Sequence, residues 1–304
     1  MARKGRVQTN LEYSLARGVL GFFRVLPLPF AIKCGRVIAR FGFWFPKLRR
    51  VGEHNLKLAF PDLSDHERSV LLRGSFANLG RLLAIFSRFT ATRGESLKSL
   101  IACEGLEQLE AATREQRGVI LFTGHVGAWE LSSFALSLFD HPLSFLVRRL
   151  DNPKIEAMVD RARTSCGNRT IDKISAAREM LGILREGGTL GILVDLNTLD
   201  REAIFVDFFG IPAATTFIVA KLALRTGAAV LPVFAPWDEA RQRFVLKIDG
   251  PLHIERTGDE AVDVHRLTQQ YTRVVEDYIR RYPEQWLWIH RRWKTRPDGE
   301  AEIY

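Results

Sequence analysis

The stretch "TGHVGAWE", residues 123–130, sets His125 and Glu130 five positions apart, with Gly124 and Gly127 around the histidine and the apolar run "GVILF" before it. A carboxylate bonded to one imidazole nitrogen fixes the tautomer and leaves the other nitrogen to accept a proton, so the pair predicts a His/Glu dyad acting as a general base. The plainer alternative is a strand-end histidine satisfied by backbone, with Glu130 favoured at a helix start by the helix dipole. The two glycines together with the acid favour the dyad. No G-x-S-x-G elbow, H-E-x-x-H, Walker or dinucleotide fingerprint occurs, and no other His/Cys/carboxylate group has ligand spacing. Neither metal nor cofactor is expected, and the nucleophile is a substrate hydroxyl. Cys34, Cys103 and Cys166 are odd in number and widely spaced, which suggests no disulfide framework and a reducing, cytosol-facing location.

A histidine just past a strand needs a sheet to present it. From residue 118 short apolar runs alternate with helical patterns. Strands are expected at 118–123, 143–147, 189–194, 229–235 and 243–248, with helices from about Ala128 and over 153–165, 175–186, 215–225 and 262–281. That alternation predicts an α/β fold, a central mixed sheet flanked by helices. In such sheets reactive groups collect beyond the carboxyl ends of strands, where His125 falls. Upstream, 53–60 and 65–90 read as helices, the second capped by Ser64 or Asp65. No repeat, low-complexity tract or linker divides the chain.

Charge is unevenly placed. Of the 44 Lys/Arg and 35 Asp/Glu, residues 1–50 hold eleven basic and one acidic, so the +9 net charge belongs to the N-terminus. A nearly neutral body argues against a nucleic-acid partner. The same segment is apolar but interrupted by Arg17, Arg24, Lys33, Arg36 and Arg40, its longest uncharged run being 25–32. This is too short to span a bilayer, which needs ~20 residues. Either side of Pro27 and Pro29 the cations fall on one helix face, leaving Phe22, Phe23, Phe30, Phe41 and Trp44 to insert. Residues 1–50 are therefore expected to form a basic amphipathic membrane-associating segment, and 51–304 the catalytic domain.

The His-x4-Glu spacing resembles the H-x4-(D/E) motif of lysophospholipid-type acyltransferases. With "RRLDNP" (148–153), "LREGGTLGILVD" (184–195), "VDFFGIPAATT" (206–216), "LALRTGAAVLPVF" (222–234) and "PEQWLWIHRRWKTRP" (283–297), the chain resembles the bacterial lipid A biosynthesis (lauroyl/myristoyl) acyltransferases from about residue 115 onward. The resemblance implies an acyltransferase-type fold and acyl transfer from a carrier thioester, usually acyl-acyl carrier protein, to a hydroxyl of a glycolipid at the cytoplasmic face of the inner membrane. His125 would be the base and Glu130 its orienting partner. Arg148, Arg161 and Arg163 would meet acceptor phosphates or developing charge, and Asp195 would share the sheet edge with His125. Here Leu196 stands where the family commonly has glutamine. Arg292 beside Arg291 is a further substrate-binding candidate. Phe208 and Phe209 read as core rather than acyl-pocket aromatics, and Trp286, Trp288 and Trp293 as either an interfacial anchor or packing. Two other readings are an acyltransferase using acyl-CoA on another glycolipid, such as a phosphatidylinositol mannoside, and a non-catalytic lipid-binding protein.

Overall fold

In the computed structural model the apolar runs that follow residue 118 become neighbouring strands of one sheet. The structure describes residues 5–89, 101–172, 176–198 and 203–304. Residues 1–4 of the basic segment, and residues 90 and 175 at the ends of two expected helices, lie outside the described residues. Strands β1 (Ile101–Glu104), β2 (Val119–Thr123), β3 (Ser144–Val147), β4 (Arg169–Asp172) and β5 (Thr189–Leu193) are followed by a hairpin of β6 (Ala203–Phe208) and β7 (Ile211–Thr216). Then come β8 (Ala229–Phe234), β9 (Trp237–Asp238) and β10 (Arg243–Ile248). The main sheet has the order β1-β10-β8-β2-β5-β3-β4. Its pairings are parallel except β10 with β8 and β9 with β10, so the sheet is mixed, as expected.

β2 is central, pairing Ile120 with both Leu190 and Val230. Its residues alternate between two cores, as the two-residue period of a strand requires. Ile120 and Phe122 face Tyr271, Val275 and Tyr278 of the long helix Glu260–Arg281. Val119 and Leu121 face Leu131 and Phe134 of the helix Trp129–Leu138, with Leu82 and Ile85 beyond.

Among the described residues the helices α1 (Arg6–Val25), α2 (Leu28–Arg40), α3 (Pro46–Ala59) and α4 (Asp65–Phe89) precede the sheet. Pro27 separates α1 from α2, as its ring and missing N–H dictate. α3 begins seven residues before the expected 53, because Pro46 occupies its first turn, where the absent donor costs nothing. Ser64 and Glu67 form a reciprocal capping box at the start of α4, the Ser64 amide donating to Glu67 Oε2 at 2.8 Å and the Glu67 amide to Ser64 Oγ at 3.3 Å. α4 is long and apolar enough to cross a membrane by length and composition, but 56% of its apolar window is buried in the fold, as in a core helix. α2 and α4 touch backbone to backbone: a Cβ at Gly80 would lie 2.0 Å from the Gly35 carbonyl oxygen. Phe23 joins this contact, buried with Ala31 and Ala84, and so is not available for insertion.

Short elements escaped the sequence. β1, β4 and the helix α5 (Leu106–Arg114) were not expected, and the helix expected from 215 starts at Ile218 because 211–216 is spent on β7. The further α-helices among the described residues are α6 (Trp129–Leu138), α7 (Pro153–Thr164), α8 (Ala176–Arg185), α9 (Ile218–Thr226) and α10 (Glu260–Arg281).

Candidate active site

His125 lies two residues past β2 on a loop in which the amides of residues 125–128 are all engaged. The His125 N–H donates to Asp195 Oδ2, Val126 N–H to Gly124 O, Gly127 N–H to Gln285 O and Ala128 N–H to Ala235 O. Gly127 is required at φ +64°, where a Cβ would also meet the Ala235 carbonyl oxygen at 2.1 Å. Asn78 of α4 donates to Gly127 O at 3.0 Å, tying the loop to the helical layer. With these amides consumed, the loop from His125 to Ala128 offers no spare backbone donor for an oxyanion.

The imidazole's partner is Asp195, two residues beyond β5 on the adjacent strand. Its Oδ1 lies 2.8 Å from His125 Nδ1, while Oδ2 accepts from the His125 amide at 2.6 Å and from Trp286 Nε1 at 2.7 Å. An ionised carboxylate only accepts, so Nδ1 carries the proton and Nε2 is left as the acceptor. Burial pushes the Asp195 carboxyl up, but the facing imidazole and the donors from His125 and Trp286 outweigh it and hold the group below the usual carboxylate range.

Glu130 therefore does not make the expected bond to His125. It stands in the first turn of α6 and receives Arg163 of α7 in a two-pronged pair, Nη2 to Oε1 at 2.7 Å and Nε to Oε2 at 3.1 Å. Burial works against the Arg163 charge, yet Glu130 prevails and holds the guanidinium above its ordinary range. The third nitrogen of that guanidinium, Nη1, is buried without a partner.

His125, Glu130, Arg163 and Arg148 share the lining of a cavity of about 440 Å³. The cavity has a polar end and an apolar one. Leu121 and Thr123 of β2, Leu143 and Phe145–Val147 at β3, Gly191–Leu193 of β5 and Leu136 of α6 line it from the carboxyl edge of the sheet inward. An elongated apolar ligand laid along these strands brings its polar end to His125.

The other expected residues divide. Arg148 is exposed at the cavity, whereas Arg161 is exposed on α7 and does not line it. Arg292 is not available to a substrate: it is fully buried, donating to Ala214 O at 2.7 Å and Thr215 Oγ1 at 2.5 Å beneath the Phe208 ring, and burial lowers it to about 10. Phe208, Phe209, Trp286, Trp288 and Trp293 are buried together, which makes them core. Asn152 of "RRLDNP" caps α7, accepting from the Lys154 and Ile155 amides, and its amide nitrogen reaches back to Thr9 O and Glu12 of α1.

Sequence reasoning missed His290, which lines the same cavity. Burial pushes its imidazole down to about 4, so it is neutral, and its Nδ1 is buried without a partner. Its only signal was membership of the segment 283–297. Among the described residues no cluster of His, Cys, Asp and Glu is arranged to hold a metal.

The model of the family described as bacterial lipid A biosynthesis acyltransferase matches residues 3–295. Curated relatives include a lipid A biosynthesis palmitoleoyltransferase of Escherichia coli, 28% identical over 94% of this chain and 92% of its own. A lipid A biosynthesis lauroyltransferase of the same organism is 27% identical over 95% and 94%. Lipid A biosynthesis acyltransferase 2 of Shigella flexneri is 25% identical over 88% and 86%. A family match spanning almost the whole chain places the chain in the bacterial lipid A biosynthesis acyltransferase family, as an O-acyltransferase.

Proposed function

We propose that the protein transfers a fatty acyl group from acyl-acyl carrier protein to a hydroxyl of a lipid A precursor, with His125 as general base and Asp195 as the group that orients it. The observation that carries this reading is the His125 imidazole, its Nδ1 held 2.8 Å from Asp195, at the polar end of an apolar cavity. The acyl chain occupies the apolar end and its thioester carbonyl reaches the polar one. His125 Nε2 takes the proton of the acceptor hydroxyl as its oxygen attacks the carbonyl carbon. Negative charge then develops on the carbonyl oxygen, and Arg163, which lines the same cavity as His125, supplies the positive charge that stabilises it. Collapse breaks the carbon–sulfur bond, and the leaving thiolate takes the proton from the imidazolium. The products are an acyl ester and a free carrier thiol. Glu130 keeps Arg163 in place and keeps it charged.

We place this work at the cytoplasmic face of the inner membrane, and the N-terminal helices support contact with a membrane surface. On α1 the exposed Val7, Leu11, Leu15, Phe22 and Val25 fall within an arc of about 80° at 100° per residue. On α2 and just beyond it Phe30, Val37, Phe41 and Trp44 fall within about 60°. The exposed cations Arg17, Arg24, Lys33 and Arg40 flank these stripes, the pattern of helices lying in an anionic interface.

The test is acyl transfer by the purified protein, followed by mass spectrometry of the acceptor. His125→Ala should lower turnover by ~10²–10⁴ while remaining folded. A folded variant with near-full transfer would overturn the mechanism.

A further inference from the structure

Beside the acyl cavity lies a second concavity of about 410 Å³, lined by Lys47, Leu48, Val51, Asn197, Ile289, His290, Arg291 and Lys294. Asn197 and His290 belong to both cavities, so one wall separates the second concavity from His125's. Asn197 is pinned there by two hydrogen bonds with Thr295. The second cavity brings three cations together from chain segments more than 240 positions apart, and no carboxylate lines it. Among the described residues none of the three forms an ion pair; Arg291 lies over the Tyr304 ring instead. Elsewhere the protein pairs its cations readily, as Lys247 and Arg241 do with Glu104. Three exposed, unpaired positive groups around a concavity form a cradle for a phosphoryl group.

The surroundings say what carries that phosphoryl group. Lys47 follows directly on Phe41, Trp44 and Phe45, which are 63%, 75% and 63% exposed, and Leu48 continues from this patch into the cavity. An aromatic patch beside cations is suited to a membrane interface, so a group borne on a lipid reaches the cradle without leaving the surface. A concavity of about 410 Å³ holds a headgroup-sized group rather than a folded domain. Resting on the acyl-transfer reading, we infer that Lys47, Arg291 and Lys294 bind a phosphoryl group on the lipid acceptor's headgroup and so present its hydroxyl across the Asn197/His290 wall to His125.

The test uses the full chain and the triple variant Lys47→Gln/Arg291→Gln/Lys294→Gln, whose three sites are exposed. Two acceptors are compared in neutral detergent micelles, a phosphorylated disaccharide lipid and the same lipid after phosphatase treatment. The variant's KM for the phosphorylated acceptor should rise about 10- to 100-fold, for charge-assisted bonds lost, with kcat and the donor KM within twofold. Dephosphorylation should raise the wild-type KM similarly, and the variant should add nothing on that lipid. Equal penalties on both lipids, an unchanged acceptor KM, or a rise confined to the donor KM would overturn the assignment, the last pointing to a phosphate on the donor's arm. Equilibrium binding to the same micelles without donor tests the cradle apart from turnover. Wild-type protein that prefers the phosphorylated lipid through these cations but transfers no acyl group would count against the catalytic reading and for the cradle, whereas equal binding by both proteins would count against the cradle.

Discussion

Asp195→Asn is the perturbation that bears most directly on how the base is set. Asp195 faces three N–H donors, His125 Nδ1 at 2.8 Å, the His125 amide at 2.6 Å and Trp286 Nε1 at 2.7 Å, and it is buried. Asparagine offers one accepting oxygen and one NH2. If its oxygen serves the backbone amide and the tryptophan, the NH2 confronts Nδ1, which must then accept. The imidazole proton moves to Nε2 and the base is lost. The opposite orientation sets the NH2 against two fixed donors, at ~1–3 kcal/mol for each buried group left unsatisfied, so the first is favoured. A carboxylate-to-amide change that inverts a catalytic tautomer costs about 10⁴ in kcat in a serine protease, and a fall of ~10³–10⁴ is expected here. Stability should drop by about 1.5–3 kcal/mol for one charge-assisted bond lost, less than alanine would cost by orphaning all three donors.

The assay is initial-rate transfer with both substrates saturating, beside circular dichroism for folding. Long-range proton–nitrogen correlation on the His125 ring reports which nitrogen is protonated. The expected result is a folded variant with the proton on Nε2 and kcat lowered by at least a thousandfold. A folded variant within tenfold of wild type would refute the assignment of Asp195 as the orienting group.

Glu130→Gln leaves Arg163 an accepting oxygen but no charge, and should lower kcat only about tenfold, whereas Arg163→Gln removes the cation lining the cavity and should cost ~10²–10³; the reverse order, measured by initial rates, would remove Arg163 from the oxyanion. Leu143→Ala opens the apolar end of the cavity. At ~0.8 kcal/mol per methylene, it should shift preference about tenfold toward donors two carbons longer in a competition assay, with a 2–5 kcal/mol loss of stability. Stability should also fall on mild acidification. The His290 value is lowered to about 4 in the folded chain, so its contribution is whole above its unfolded value and lost progressively as pH falls from about 6.5 towards 4. This amounts to about 2 kcal/mol by pH 5, and urea titrations of wild type and His290→Asn at pH 7 and 5 should differ by that amount. Asp195, held low, adds a further loss only at more acid pH, below the ordinary carboxylate range. Binding to anionic liposomes should weaken with salt, since each interfacial Lys/Arg contributes ~1 kcal/mol; a protein resisting both high salt and alkaline carbonate would be inserted integrally.

What the sequence disclosed depended on periodicity. The strands at 118–123 and 229–235 were legible because both faces are buried and the runs are apolar almost throughout, and 143–147 because only Ser144 interrupts its apolar run; His125 at the end of β2 followed from that. β1 and β4 were not legible, being four residues each with polar side chains among them. The β6–β7 hairpin turns through Phe209 and Gly210, both at positive φ, with the Gly210 amide donating to Asp207, a turn that a Phe-Gly pair does not announce. Arg292 looked like a substrate cation because nothing in "IHRRW" says which of two adjacent arginines turns inward; its burial depends on Ala214 and Thr215, nearly eighty residues earlier.

The same limit explains the exchange of carboxylates at the centre. Glu130 is near His125 in sequence, but it opens helix α6, where Arg163 of α7 takes both of its oxygens. Asp195 is seventy residues away yet adjacent in space, because β5 runs parallel to β2 with Thr123 opposite Leu193, so two strands ending in register deliver their next residues to one point. Environment then assigns the roles. The carboxylate sealed from water, with three donors and no cation, suits holding an imidazole in one tautomer. The one at the cavity with a guanidinium suits keeping a positive donor fixed where charge develops. The segment 285–290 stabilises this division: Trp286 supplies the third donor to Asp195, while Ser75 donates to its carbonyl and Asn55 to those of Trp288 and His290. Buried amides and hydroxyls of the N-terminal helices thus fix the C-terminal tryptophan that fixes the aspartate, and the orientation of one imidazole depends on contacts from both ends of the chain.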